Sequence, residues 1–166
     1  PDNQSISPHL SSFIEYYAIM GGRNYVVVET INSQNLSEMY SWKDRLRTVL
    51  AKHMDHNEKP VMVILVGQEV WASYLSMDDD WVKSMPVMGV QVSDNAVDIP
   101  SDSIPLNVWK PMSTNAFTDY PNHNIVGCIA NHYDVDKNIE LIRRYYPDTR
   151  SIAFLSDNSY PGVTMQ

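Results

Sequence analysis

Apolar and polar positions along this chain follow two periods in turn. In "SPHLSSFIEYYAIM" (7–20), Leu10, Phe13, Ile14 and Tyr17 fall on one face at helical spacing, with Ser7 as N-cap, Pro8 at the first helical position and Gly21-Gly22 as the stop. "NYVVVETI" (24–31) is a short β-branched run that reads as a buried strand, and the polar "NSQNLS" after it reads as a loop. A second helix is expected in "EMYSWKDRLRTVLAKHM" (38–54), where Met39, Trp42, Leu46, Val49 and Leu50 form the stripe. "KPVMVILVG" (59–67) is apolar or tiny from Val61 to Gly67, which predicts a strand buried on both faces and central in a parallel sheet.

The alternation then continues with a short helix in "EVWASYL" (69–75) and a strand in "MPVMGVQV" from about Pro86 to Val92. Residues 93–123 form a long connection rich in Pro, Ser, Asn and Asp, a length that marks either function or the covering of an edge. "NIVGCIA" (124–130) is a further strand. "DVDKNIELIRRYYP" (134–147) is a helix capped by Asp134 or Asp136 and stopped by Pro147, and "RSIAFLS" (150–156) is the last strand. Helix and strand in strict turn imply an α/β fold, a mostly parallel sheet with helices on both faces.

Composition narrows the function more than the fold. Twenty Asp and Glu against twelve Lys and Arg give a net charge of -8, which argues against nucleic acid or an anionic membrane surface as partner. The single cysteine, Cys128, lies in an apolar run and reads as an inert thiol; one cysteine makes no internal disulfide. No stretch approaches the roughly 18 apolar residues of a membrane span.

Catalytic motifs are missing from the sequence. No GxGxxG follows a strand, no phosphate-binding lysine loop exists, and "GQEVW" lacks the serine of a nucleophile elbow. "VILVG" ends without the aspartate of a phosphoacceptor. His53, Asp55 and His56 at a helix end match no metal-site spacing, and "DDDW" (78–81) reads as a helix start rather than a calcium loop. Neither catalysis nor a bound cofactor or metal is expected from this chain.

In open α/β sheets ligands bind beyond the carboxyl ends of the strands. Those ends carry Glu29 to Asn35, Gly67-Gln68, Ser93-Asp94-Asn95, Asn131 to Asp134 and Ser156 to Asn158: amides, hydroxyls and rings, with few charges and no evident nucleophile. Asn32, Gln68, Trp71, Ser93, Asn131, Tyr133, Asp157 and Asn158 are the candidate ligand-binding residues, suited to a small neutral polar molecule held by hydrogen bonds and ring stacking. Structural roles compete for several of them. Trp71 sits one turn into a helix and can be core, Asp157 and Asn158 can make a turn, and Asp134 can simply cap.

"PVMVILVGQEVWASYLS", "MPVMGVQVS" and "IVGCIANHYDVDKNIELIRRYYPDTRSIAFLSDNSYPG" together resemble the periplasmic sensor region of bacterial sensor and hybrid two-component histidine kinases. That region is similar to the substrate-binding proteins of ABC transporters and has the type I periplasmic-binding fold. The resemblance covers residues 25–162 and is one of pattern and order. It implies a Rossmann- or flavodoxin-like first lobe over residues 1–130, lacking its usual first strand. A hinge crossing follows near residues 127–133, and residues 131–166 begin a second lobe or supply the last unit of the same sheet. On this reading the chain is cut from a longer receptor, sits in the periplasm, and reaches the membrane only through flanking segments. A severed apolar strand at 150–156 can add to the first-lobe sheet, lie against another copy of the chain or stay disordered; burial of its apolar side chains favours a homodimer through the C-terminal segment. A transporter-associated substrate-binding protein is the alternative function; a single self-contained flavodoxin-like sheet is the alternative fold.

Overall fold

The computed structural model describes residues 8–22, 26–31, 36–54, 59–100, 112–132, 134–157 and 159–164. The chain divides into two compact units, Pro1–Thr30 and Ile31–Gln166. The first contains helix α1 (Pro8–Ile19), on which Phe13 and Tyr17 stack with ring centroids 6.3 Å apart. Gly21, at φ +78°, ends it: its N–H donates to Ala18 O, and Gly22 N–H donates to Tyr17 O, the pair of bonds that closes a helix on a left-handed residue. Ser7, the expected cap, lies outside the described residues. Residues 26–31 form no strand, and Val26, Val27 and Val28 are exposed, so the strand expected there is absent over its described part.

The second unit is α/β. Its helices are α2 (Met39–Met54), α3 (Gln68–Leu75), α4 (Asp80–Lys83), α5 (Val135–Tyr145) and α6 (Tyr160–Thr164). Strands β1 (Val63–Val66), β2 (Val87–Val92) and β5 (Ile125–Ala130) form a parallel sheet in the order β1-β2-β5. The long connection is not wholly irregular: β3 (Asn95–Val97) and β4 (Ser113–Asn115) pair antiparallel within it.

β2, not β1, is therefore the central strand. The apolar pattern of 61–66 is real, but its two faces meet different surroundings: Leu65 is buried, whereas Val66 is exposed and Val61, before the strand, is 69% exposed. β2 gains its centrality through packing. Val87 and Val92 are buried, and at Gly89 the ring of Trp71 comes so close that an added Cβ would lie 3.2 Å from it. Gln91 takes φ +56° as an extra residue opposite β5, and this bulge returns Val92 to the covered side.

One face of the sheet, with Leu65 and Val87, packs against Trp71, Tyr74 and Leu75 of α3 and against Leu46 and Leu50 of α2. A second cluster joins Met39, Trp42, Ala72, Val97, Ile99 and Tyr160, which seats α6 beside α2 and α3. The stripe read from the sequence of α2 is the buried one at Met39, Trp42, Leu46 and Leu50. The opposite face is only half-buried at Ile64, Met88 and Val90. In register across it lie Ile64, Met88 and Gly127, then Val66, Val90 and Ile129, with Val66 54% and Ile129 58% exposed. Helices thus cover one face, not both, among the described residues.

α5 has the expected cap: Asp134 Oδ1 accepts the Lys137 N–H at 2.9 Å, and Lys137 Nζ lies 2.7 Å from Oδ2. Lys137 holds the Asp134 carboxyl below the usual carboxylate range. No side chain of α5 is buried. Residues 151–157 form no strand, and Ile152, Phe154 and Leu155 are exposed; the last strand expected from the sequence is not made.

Candidate functional site

The parallel order brings three strand ends side by side. β1 runs into Gly67, whose φ of +103° turns the chain directly into α3; its N–H donates to Val90 O at 3.0 Å. Gln68 opens that helix. It is buried, and its Oε1 has no hydrogen-bond partner among the described residues. β2 ends at Ser93, buried, whose Oγ accepts the Asn95 N–H at 3.2 Å, as a short polar side chain does when it stabilises a turn. β5 ends at Asn131, whose backbone N–H donates to Val92 O at 2.7 Å and leaves the side chain exposed. Next to it His132 Nδ1 lies 3.0 Å from Asp94 Oδ2, a contact that joins the ends of β5 and β2.

Gln68, Ser93 and Asn131 thus stand at the ends of adjacent strands, as the sequence suggested, with Asp94 and His132 added. Trp71 belongs to the core: it is 2% exposed and tilts against Tyr74 at 5.8 Å. Asp157 is exposed and accepts the Ser159 N–H at 3.0 Å and the Ser159 hydroxyl at 2.5 Å; these bonds hold its carboxyl below the usual range. The turn they make leads into Tyr160, and Asn95 Nδ2 donates to Thr164 O, so α6 is tied to the start of β3. Asn32, Tyr133 and Asn158 lie outside the described residues.

A second polar site lies elsewhere in the unit. A cleft of about 370 Å³ is walled by Lys43, Lys83, Asp98, Asp119, Tyr120 and His123 among others. The Lys43 ammonium is buried and donates to Ile99 O at 2.9 Å and Pro100 O at 2.8 Å; burial lowers its pKa. Tyr120 donates its hydroxyl hydrogen to Asp98, and burial first, then that carboxylate, raises the phenol's pKa. These residues come from separated segments, and no local spacing announced them. Lys43 carries the one weak signal, a cation flanked by the stripe residue Trp42.

His123 sits with its ring edge-on to Tyr74 at 5.0 Å and to Tyr120 at 5.5 Å. Its ring nitrogens are buried, and burial, with Lys83 nearby, depresses its pKa; the backbone carbonyls of Tyr74 and Met77 that face the ring offset only part of this. A depressed histidine pKa means that the unfolded chain binds the proton more readily. Stability from this residue is complete above the ordinary value near 6.5 and is lost as the pH falls from there through the folded value. Thermal midpoints measured from pH 7.5 to 5 are expected to drop less in His123→Phe, which keeps the ring packing, than in the parent; parallel curves would show that His123 does not titrate on unfolding.

Among the described residues no group of three or more His, Cys, Asp or Glu is placed to hold a metal ion; Asp55 and His56 lie outside them. No described helix is long and apolar enough to cross a membrane. Cys128 on β5 is half-buried, and burial pushes its thiol pKa up. The sequence matches no known family model, and no curated protein or solved structure matches it.

Proposed function

We propose that this chain is the extracytoplasmic ligand-sensing domain of a two-component sensor histidine kinase, its parallel sheet forming part of a type I periplasmic-binding-like lobe. A small polar molecule binds at the carboxyl edge of that sheet. The observation that supports this reading most directly is the row of Gln68, Ser93, Asp94, Asn131 and His132 across three adjacent strand ends. The Asp94 carboxylate, the exposed Asn131 amide and the His132 imidazole are accessible there, a mixture of donors and acceptors suited to a hydrogen-bonding ligand, with the buried Gln68 and Ser93 beneath them. Periplasmic placement and transmembrane signalling follow from the resemblance in pattern and order.

The test is a thermal-shift screen of the purified chain against amino acids and common monosaccharides, followed by calorimetry on any compound that raises the midpoint. A ligand present at one hundred times its dissociation constant stabilises by about 2.7 kcal/mol. Asn131→Ala keeps the backbone bond to Val92 and is expected to weaken binding about tenfold or more without changing the unliganded midpoint. A screen without a hit, or a hit whose affinity is the same in Asn131→Ala and Asp94→Asn, would remove the carboxyl-edge site.

A further inference from the structure

Lys43 is a buried cation that makes no ion pair among the described residues. Its ammonium donates to Ile99 O at 2.9 Å and Pro100 O at 2.8 Å. An ammonium has three donors, so the two carbonyls leave one N–H to be met, and neither of them neutralises the charge. Asp44, Asp78 and Asp98 favour the charged form through space, but burial, with Arg47, outweighs them and lowers the pKa. A charge removed from water in this way is costly until an anion comes beside it.

An anion can reach it through the cleft of about 370 Å³, whose wall includes Lys43 and, from the end of α4, Lys83. That volume lies within the range of small-molecule sites, about 300–1,000 Å³. The same wall carries carboxylates. Asp98 is exposed and accepts the Tyr120 hydroxyl, which leaves it room for further donors, whereas Asp119 is committed to its own turn through the Asn115 N–H and the Thr118 hydroxyl. Lys83 Nζ lies 3.4 Å from a fully exposed Asp78 carboxylate, a long surface pair that contributes little and yields readily to a ligand. The cleft stands at the amino ends of the strands. α3 starts where β1 ends and runs back to Ser76, and Lys83 O accepts the Asn124 N–H at 2.8 Å just before β2 and β5 begin. It is therefore separate from the row at Asp94, Asn131 and His132.

We propose that this cleft binds a small zwitterion of the amino-acid class, its carboxylate facing Lys43 and Lys83 and its ammonium facing Asp98. Both signs on one wall select such a ligand. A phosphate monoester would gain from the two lysines but meet Asp98 and Asp119, and a simple amine would gain from the carboxylates but meet the lysines. A molecule carrying one group of each sign pairs with both sets, and its carboxylate supplies the counter-ion that the buried ammonium lacks.

The experiment is a nuclear magnetic resonance titration of the intact chain, labelled with nitrogen-15, with glycine, β-alanine and γ-aminobutyrate, and with butyrate and butylamine as controls of a single charge. The amides of Ser76, Asp98 and Asn122 are expected to shift with at least one zwitterion, and those of Asp94, Asn131 and His132 are not. Butyrate and butylamine are expected to bind about tenfold more weakly than the best zwitterion. Lys83→Met and Asp98→Asn are each expected to weaken that zwitterion about tenfold, while Lys43→Met abolishes its binding. Lys43→Met also strands the carbonyls of Ile99 and Pro100; should it unfold, the other two variants decide the matter. The proposal fails if no zwitterion moves the cleft amides, as when other residues of the chain fill the space. It fails equally if a control of single charge binds as tightly, or if Lys83→Met and Asp98→Asn bind as the parent does. Shifts confined to Asp94, Asn131 and His132 would overturn it too, and would support the carboxyl-edge site instead.

Discussion

Val87→Asp is expected to unfold the second unit, whereas Val61→Asp is expected to leave its thermal midpoint unchanged. Val87 opens the central strand, is 1% exposed, and packs in the cluster with Trp71, Tyr74 and Leu65. Its neighbours in register are Val63 on one side and Ile125 on the other, so a carboxylate there finds neither water nor a cation. Burying an unpaired charge exceeds the whole stability of most domains, about 5–15 kcal/mol, unless the group protonates or the structure opens. Val61 lies before β1 and is 69% exposed, so a carboxylate there remains hydrated. Circular dichroism during heating separates the two cases. Equal midpoints for both variants would refute the burial of Val87 in the core beside an exposed Val61.

This contrast marks where the sequence was informative and where it was not. Helices α2, α3 and α5 of the second unit were legible because their evidence is local: the stripe of α2, the Asp134 cap of α5 and the turn at Gly67 into α3 are each written within a few residues, whereas α6 was not foreseen. Strand existence was legible for β1, β2 and β5, but strand order was not. "VMVILV" is apolar on both faces whether its outer face is covered or, as at Val66, open. β2 looked less like a centre because Gly89 and Gln91 interrupt it. Gly89 is small because Trp71 approaches it, and Gln91 is the bulge, facts that exist only after the helix and β5 have packed.

The same limit applies to the runs at 26–28 and 152–155. Their composition suits a strand, but a strand requires a neighbour, and pairing is a long-range property of the whole sheet. Of the candidate site, the strand-end positions followed from topology alone, so Gln68, Ser93 and Asn131 could be anticipated. The Asp94–His132 contact and the cleft around Lys43, Asp98, Tyr120 and His123 could not, since each joins residues far apart in the chain.

Tyr160 is where the return of the chain to the core can be tested. After residues 135–157, of which none is buried, the chain comes back to the core at α6, led by Tyr160, 3% exposed, with its ring edge-on to Trp42 at 6.2 Å. Its hydroxyl completes both backbone groups of Val97, accepting the N–H at 2.9 Å and donating to the carbonyl at 3.0 Å. Burial is the main reason that the phenol's pKa is raised, so the hydroxyl stays protonated and able to donate at any physiological pH. Tyr160→Phe keeps the ring but strands a buried donor and acceptor on β3, at a cost of about 2 kcal/mol. Tyr160→Ala also empties the space beside Trp42 and Ile99 and frees α6, at a cost of about 4 kcal/mol. For a chain of this size, 4 kcal/mol lowers the thermal midpoint by about 10 °C. The order Phe before Ala, with amides near β3 losing hydrogen-exchange protection in both, is the expected result. A Tyr160→Ala variant that melts with the parent would mean that α6 is not seated in the core.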